Sequence, residues 1–373
     1  MTIGERLEAT RTGLKLTLEA VSQRTELGIS TLSDIENSKR EPSISQLSAL
    51  AKAYSRTLSY FFEDAPVVDP LVLWRKRPED DAVALAHEAA FRKLCAQYRQ
   101  LEVWCGDVIA PSLPTCTAKA ATFCREDAET LAHQVRTNLN LGEYPASSLL
   151  NTLENSCGIK IFHAAFEPTG TASCLCSEEW GMAILLNVGN ISYRRNFDLA
   201  HELFHLLTWK VFRSADGSGV SSEREEELAR HFAGSLLLPM EIVRSAIARR
   251  LDEKGQLATA ALPALAEQFG VSIDALVWRI HDIYHFADER REETDAIIRA
   301  AKGAEDPRVA LEAKREAPPK YPKRYMALAI RAFLTGEIST GKFCQYTDWS
   351  RNEAMKLMAT GEDARREVQI TSC

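Results

Sequence analysis

The sequence predicts a mainly α-helical protein with a small β-sheet, an α+β chain of more than one domain. Three observations predict it. One helix-forming segment carries His201-Glu202-Leu203-Phe204-His205, the first 65 residues break into short apolar-periodic helices, and two short apolar runs, 159–163 and 180–187, read as buried strands. A length of 373 residues suggests two or three domains, and 45% hydrophobic with 26% charged residues is ordinary globular composition. Apolar runs such as Ala183-Ile184-Leu185-Leu186 are far too short to cross a bilayer, so no membrane partner is expected. Residues 1–6 lack the basic-then-apolar start of a signal peptide. Nine cysteines, none in a CxxC, read as the reduced thiols of a cytoplasmic protein. A net charge of −7 confines any nucleic-acid surface to a local patch.

Residues 1–65 read as one domain of short helices. Leu7, Leu14, Leu16, Leu18 and Val21 supply its apolar positions, and Thr17 is placed to cap a helix running through Arg24. After a turn at Thr25-Glu26-Leu27-Gly28, Ile29, Leu32 and Ile35 recur three apart on one helical face, so Ser30, Thr31, Ser33 and Asp34 look outward. Two helices joined by a tight turn, the second opening with short polar residues, suit major-groove reading of double-stranded DNA. A helical protein-interaction module fits the same pattern.

On Thr17–Val21, Ile29–Glu36, Ser38–Ser43 and Leu47–Ala53 the segment resembles the helix-turn-helix domain of Xre/Cro-type phage repressors. The resemblance implies DNA-binding positions at Thr17, Ser30, Thr31, Asp34, Lys39 and Arg40. Ser30, Thr31 and Asp34 would face bases, and Lys39 and Arg40 would contact phosphate. Where that family has Gly in the turn, this chain has Glu26, with Gly28 two positions on. Residues 1–65 hold eight Lys/Arg and nine Asp/Glu, so DNA binding is expected to be weak without a homodimer.

Residues 66–125 read as a linker and bridging helix. The stretch 66–80 contains Pro66, Pro70 and Pro78, and 81–109 has helical periodicity. Phe91, Tyr98 and Cys105 lie seven apart, as do Leu94, Leu101 and Val108; the stripe they form packs on the following domain or makes a dimer seam.

The third domain, 126–300, carries the chemistry. Helices are predicted over 128–139 and 146–156, a strand over 159–163, a buried strand over 180–187, and a helix over 196–209. On that helix His201 and His205 sit one turn apart on one face and can reach the same metal ion. Glu202 is rotated about 100° away, where it can approach a bound water without becoming a ligand. Two histidines leave a zinc site one protein ligand short. The run Glu223-Arg224-Glu225-Glu226-Glu227 opens another helix that turns apolar at Phe232–Pro239, and any of its carboxylates can supply the third. The strand beside the His-Glu helix, residues 181–186, is expected to hold an extended substrate by backbone hydrogen bonds.

On Ala183–Asn187, Arg195–Leu207, Glu226–Pro239 and Leu265–Ser272 this domain resembles the ImmA/IrrE family of zinc metallopeptidases. The resemblance implies Zn²⁺ as cofactor, His201, His205 and Glu226 as metal ligands, and Glu202 as the catalytic base. It also implies a protein substrate, typically a repressor or partner regulator, in stress response, phage immunity or toxin–antitoxin control. Two positions depart from the family: Phe204 replaces a Gly and is expected to crowd the cleft, and Arg230 replaces an Asn or Asp that orients a ligand. His163, His231 and Tyr193 are weaker candidates near the site.

Residues 301–373 read as a linker, 303–324, followed by a helix-turn-helix appendage over 327–360 that packs on the protein, binds a partner or touches DNA. The sequence therefore reads as a DNA-binding transcriptional regulator carrying a zinc-dependent peptidase domain. The alternative is a transcription factor or antitoxin whose peptidase-like domain senses a ligand or binds a partner without turnover.

Overall fold

The structure is a computed structural model that describes residues 2–13, 16–54, 56, 58–62, 70–168, 171–213, 221–253, 255–284, 291–302 and 317–359. The helix-rich chain with one small mixed sheet agrees with the predicted class. It divides into two compact units: Met1–Val72 with Arg77–Tyr98, and Leu73–Lys76 with Arg99–Cys373. Parts of the predicted linkers, 66–69 and 303–316, and Leu14 lie outside the described residues.

The first unit holds α1 (Ile3–Gly13), α2 (Leu18–Thr25), α3 (Ile29–Glu36), α4 (Ile44–Ala53) and α5 (Asp81–Trp104) as far as Tyr98. Leu7, Val21, Leu32, Ile35, Leu47 and Leu50 form its core. Local sequence sets the helix starts. The Thr17 hydroxyl accepts from the Ala20 N–H, and Ser43 with Gln46 closes a capping box that satisfies two orphan donors. The turn between α2 and α3 puts Glu26 at φ 59°, the left-handed conformation in which a side chain is strained, while Gly28 has an ordinary φ of −63°. Ile29, expected to face the core, is the first residue of α3 and stays 44% exposed.

The predicted 81–109 helix ends at Trp104, and Gly106 at φ 61° turns the chain away. Of the predicted stripe, Phe91, Tyr98 and Leu101 are buried, Leu94 and Cys105 are half-buried, and Val108 is exposed.

The second unit is built on a four-stranded sheet in the order β1-β3-β4-β2, from β1 (Val72–Trp74), β2 (Lys160–Ala164), β3 (Ala172–Ser177) and β4 (Gly181–Asn187). The 66–80 stretch thus contains a buried strand rather than linker alone: the Arg75 N–H donates to the Ala172 carbonyl, and Lys76 and the Thr171 hydroxyl exchange hydrogen bonds. β4 pairs in parallel with β2 (Lys160 opposite Ala183) and antiparallel with β3 (Ala172 opposite Leu186). Both backbone edges of residues 183–186 are therefore occupied, and Gly181 and Met182 are paired on the β3 side, which removes most of the strand from the expected role in holding substrate. The sequence missed β3 because Ser173, Cys174 and Cys176 lack the β-branched and aromatic weight that marks a strand.

The helices of this unit are α6 (Arg125–Asn138), α7 (Leu149–Asn155), α8 (Ser192–Leu207), α9 (Trp209–Phe212), α10 (Glu223–Leu237), α11 (Met240–Ala248), α12 (Leu262–Phe269), α13 (Ile273–Ile283), α14 (Arg291–Lys302), α15 (Lys323–Leu334) and α16 (Thr340–Thr347). α8 packs on β3, β4 and α10, and α10 in turn on α6. The C-terminal helices dock as well. Tyr325, Leu328 and Phe333 of α15 are buried, and Arg324 joins Glu102 (2.7 Å) and Asp107 (3.1 Å), with Lys160 also on Glu102 at 3.1 Å. Packing is thus the role the structure gives α15. Among the described residues no single helix is long and apolar enough to cross a membrane.

Candidate metal centre and DNA-reading helix

Helix α8 starts at Ser192, four residues earlier than its apolar pattern suggests, and buries every residue from Asp198 to Leu207. An interior helix that keeps His201, Glu202 and His205 at 0–1% exposure must compensate three polar groups there. The His201 and His205 Nε2 atoms face each other at 3.3 Å. Glu226, on the first turn of α10, reaches both: Oε2 lies 3.0 Å from His201 Nε2, and Oε1 lies 3.3 Å from His205 Nε2. α10 begins where it does because Ser222 caps it, its hydroxyl accepting from the Glu225 N–H. One ligating atom from each of His201, His205 and Glu226 lies within 4.8 Å of the others. The structure thus brings together the two histidines expected from their spacing and the glutamate implied by the family resemblance.

Two ring nitrogens and a carboxylate converging on one point fit a divalent metal of the borderline-soft kind, for which imidazole and carboxylate donors are suited. The buried atoms agree: Glu226 Oε1, which faces the cluster, makes no full hydrogen bond, and the Glu202 carboxylate is buried with the Cys174 thiol beside it. Burial holds His201 down to about 3, although the Glu226 hydrogen bond opposes it. Burial also acts to lower His205, but hydrogen bonds with Glu225 and Glu226 outweigh it and raise that imidazole to about 9. Burial pushes Glu202 up to about 7, against the opposing influence of His205 and the Cys174 thiol. Burial also disfavours the Glu226 carboxylate, yet its two histidine partners hold it well below the usual range.

The orienting group for a ligand is present, but not where the family pattern puts it. His205 Nδ1 lies 2.8 Å from Glu225 Oε1, and Arg213 clamps the same carboxylate with bonds of 2.6 and 2.8 Å. A carboxylate on the far nitrogen fixes the tautomer and the ring direction. Arg230 is exposed and takes no part in this. Sequence reasoning missed Glu225 because three neighbouring glutamates share the helix start, and only the phase of the turn separates their directions. Asp198 was also missed. It is fully buried one turn before Glu202 and accepts from Arg75 (2.5 Å), Asn190 (2.8 Å) and Arg194 (3.1 Å). An Asp inside an otherwise buried helical stretch was the available signal.

Phe204 does not crowd the cleft. It is fully buried among Phe123, Phe212 and Phe232, with ring centroids 5.8, 6.2 and 5.5 Å away, on the core side of α8. His163 is on β2, apart from this cluster, where burial lowers it to about 4. His231 stands 3.8 Å from Asp282 and 4.0 Å from Glu129; it and Tyr193 line a neighbouring cavity rather than the metal cluster.

In the first unit, the positions proposed to meet DNA lie at the surface. Thr17, Ser30, Asp34, Lys39 and Arg40 are exposed and Thr31 is half-buried, while Leu32 and Ile35 on the opposite side of α3 are each 1% exposed. Glu36, at the end of α3, is tied to Arg11 of α1 at 2.8 Å, which pins α3 against the domain.

Comparison with known proteins finds a family match in each of the two regions. Residues 154–281 match the family model of the IrrE N-terminal-like domain, of the M78 peptidase type, and residues 7–61 match a helix-turn-helix family model. No curated protein matches the chain. A solved structure to which it is similar is the apo form of ComR from S. thermophilus, 11% identical over 100% of this chain and 99% of that one, with a TM-score of 0.16 that carries no structural argument. The chain thus joins a helix-turn-helix domain to an IrrE N-terminal-like domain of the M78 metallopeptidase family.

Proposed function

We propose that this protein is a DNA-binding transcriptional regulator whose second unit is a zinc-dependent peptidase acting on a protein, a repressor or partner regulator. The observation that carries the reading is the pairing of a three-donor cluster, His201, His205 and Glu226, with a fully buried Glu202 on the same helix. Zinc held by those three residues would supply Lewis-acid polarisation of a peptide carbonyl. Glu202 would take the proton of the attacking water and deliver it to the leaving amine, a task suited to a carboxyl whose pKa is raised to about 7. Glu225 and Arg213 would keep the His205 ring in register, and burial of the helix would keep bulk water from Glu202. In the first unit, Ser30, Thr31 and Asp34 would read base edges while Lys39 and Arg40 meet phosphate.

The test is digestion of an unbiased peptide mixture by the metal-loaded chain, followed by mass spectrometry. Cleavage that a chelator abolishes and Zn²⁺ restores is the expected result. Specific operator binding with no cleavage under any metal condition contradicts the peptidase reading and favours the sensor or partner-binding alternative.

A further inference from the structure

Beside the metal cluster lies a cavity of about 430 Å³, and its lining includes the residue that departs from the family pattern, Arg230. Both helices of the metal cluster, α8 and α10, contribute to its wall. Arg194 and Phe197 come from α8, seven and four residues before His201, and Arg230 and Gly234 come from α10, four and eight residues after Glu226. One helical turn advances about 5.4 Å, so this space begins about one turn from the metal ligands. Trp278 of α13 and Arg75, next to β1, complete the wall. Its volume is that of a pocket for a side chain and adjoining backbone.

The charge of the wall is not balanced on the metal side. Arg75 and Arg194 share one carboxylate, Asp198, at 2.5 and 3.1 Å. Arg230 is exposed, and among the described residues it makes no ion pair or hydrogen bond. Three carboxylates line the cavity beside five arginines: Glu227 pairs with Arg125 and lies in the field of Arg230, Asp274 pairs with Lys302 at 2.7 Å, and Asp282 faces His231 at 3.8 Å, so the lining keeps an excess of positive charge. Between those flanks, Phe197 and Trp278 present ring surface, and a Cβ placed on Gly234 meets nothing within 4 Å, so α10 is bare at this point. Guanidinium groups around an apolar slot suit a carboxylate borne on a short aliphatic stem.

We propose that this cavity is the subsite for an acidic side chain, Asp or Glu, of the polypeptide bound across the metal centre, with Arg230 and Arg194 recognising its carboxylate. The proposal rests on the peptidase reading for its substrate but not for its binding chemistry, and the two are tested separately. The full chain carrying Glu202→Gln and loaded with Zn²⁺ is titrated with labelled peptides of equal length that differ only in bearing Glu, Gln or Lys, read by fluorescence anisotropy. The Glu peptide is expected to bind about tenfold tighter than the Gln peptide, with Lys weakest and the preference shrinking as salt rises. Adding Arg230→Glu or Arg194→Glu brings the Glu-to-Gln ratio to about one or reverses it. Gly234→Leu, which fills the slot without changing charge, weakens the Glu peptide as well. Zinc content and melting temperature of each variant establish that it is folded.

Equal affinity for Glu and Gln peptides, or a preference untouched by the Arg230 and Arg194 changes, overturns the proposal. Digestion of an unbiased mixture by the wild-type chain separates the two claims. Cleavage with no acidic preference near the cut bond overturns the subsite and leaves the peptidase standing. Arg230-dependent binding of the Glu peptide without any cleavage supports the acid-binding cavity and overturns the peptidase.

Discussion

Helices α3 and α8 both put polar side chains to use, in opposite surroundings. On α8, Asp198, His201, Glu202 and His205 are at most 1% exposed; on α3, Ser30 and Asp34 face solvent. Most buried polar groups are satisfied by a partner, and α8 comes with Glu226, Glu225, Arg213 and Arg75 attached. The exposed face of α3 makes no such demand on the fold, and under the proposed reading its residues are set by the DNA they would meet. The same substitution should therefore be a stability event on α8 and a recognition event on α3.

The largest effect should follow from Glu225→Ala. It strands Arg213, whose side chain is 2% exposed, and releases His205 Nδ1. We expect about 3–5 kcal/mol of lost stability in urea melts. Zinc affinity, measured by competition with a chelating dye, should fall about 10- to 100-fold. A loss as small as that of a surface change would place Glu225 outside the support of the centre.

Next in size is the pH response of the metal-free protein. His205 is held at about 9, above its ordinary value of 6.5, so its charged pair with Glu225 and Glu226 stabilises fully below pH 6.5 and is lost as pH rises through about 9. The sign for zinc is opposite, because a ligand imidazole must be neutral. Affinity should climb about tenfold per pH unit in that window and level off above about 9. A flat profile from isothermal titration would contradict the assigned proton.

A smaller effect belongs to the turn before α3. Glu26→Gly relieves a left-handed residue at φ 59° and should stabilise the first unit by about 1 kcal/mol, read as a higher melting temperature. Smallest in stability are Ser30→Ala, Asp34→Ala, Lys39→Ala and Arg40→Ala, each expected within about 0.5 kcal/mol. Their effect should appear on DNA instead. The α3 changes relax base preference, and each basic change lowers the salt slope of binding by about one.

Much of this was legible in the sequence because periodicity and spacing are local. The His201–His205 interval, the α3 apolar set around Leu32 and Ile35, and the Thr17 cap all follow from residues a few positions apart. The turn residue Glu26 was visible as a departure, and the structure shows the strain it carries. What was not legible depends on partners far away in the chain. The use of Val72–Trp74 as a strand, the double pairing of β4, and the burial of Phe204 against Phe123 and Phe232 are set by tertiary neighbours. So is the division of labour between Glu225 and Glu226, which a composition-level view of five charged residues cannot separate.

The central claim is that Glu202 is the proton-transferring base of a zinc peptidase. It is tested most directly by comparing cleavage rates per bound zinc for the wild-type chain and Glu202→Gln on a peptide cut by the wild type. The account predicts equal zinc content and a rate about 10²- to 10⁴-fold lower in the variant. Equal zinc content with an unchanged rate would contradict it.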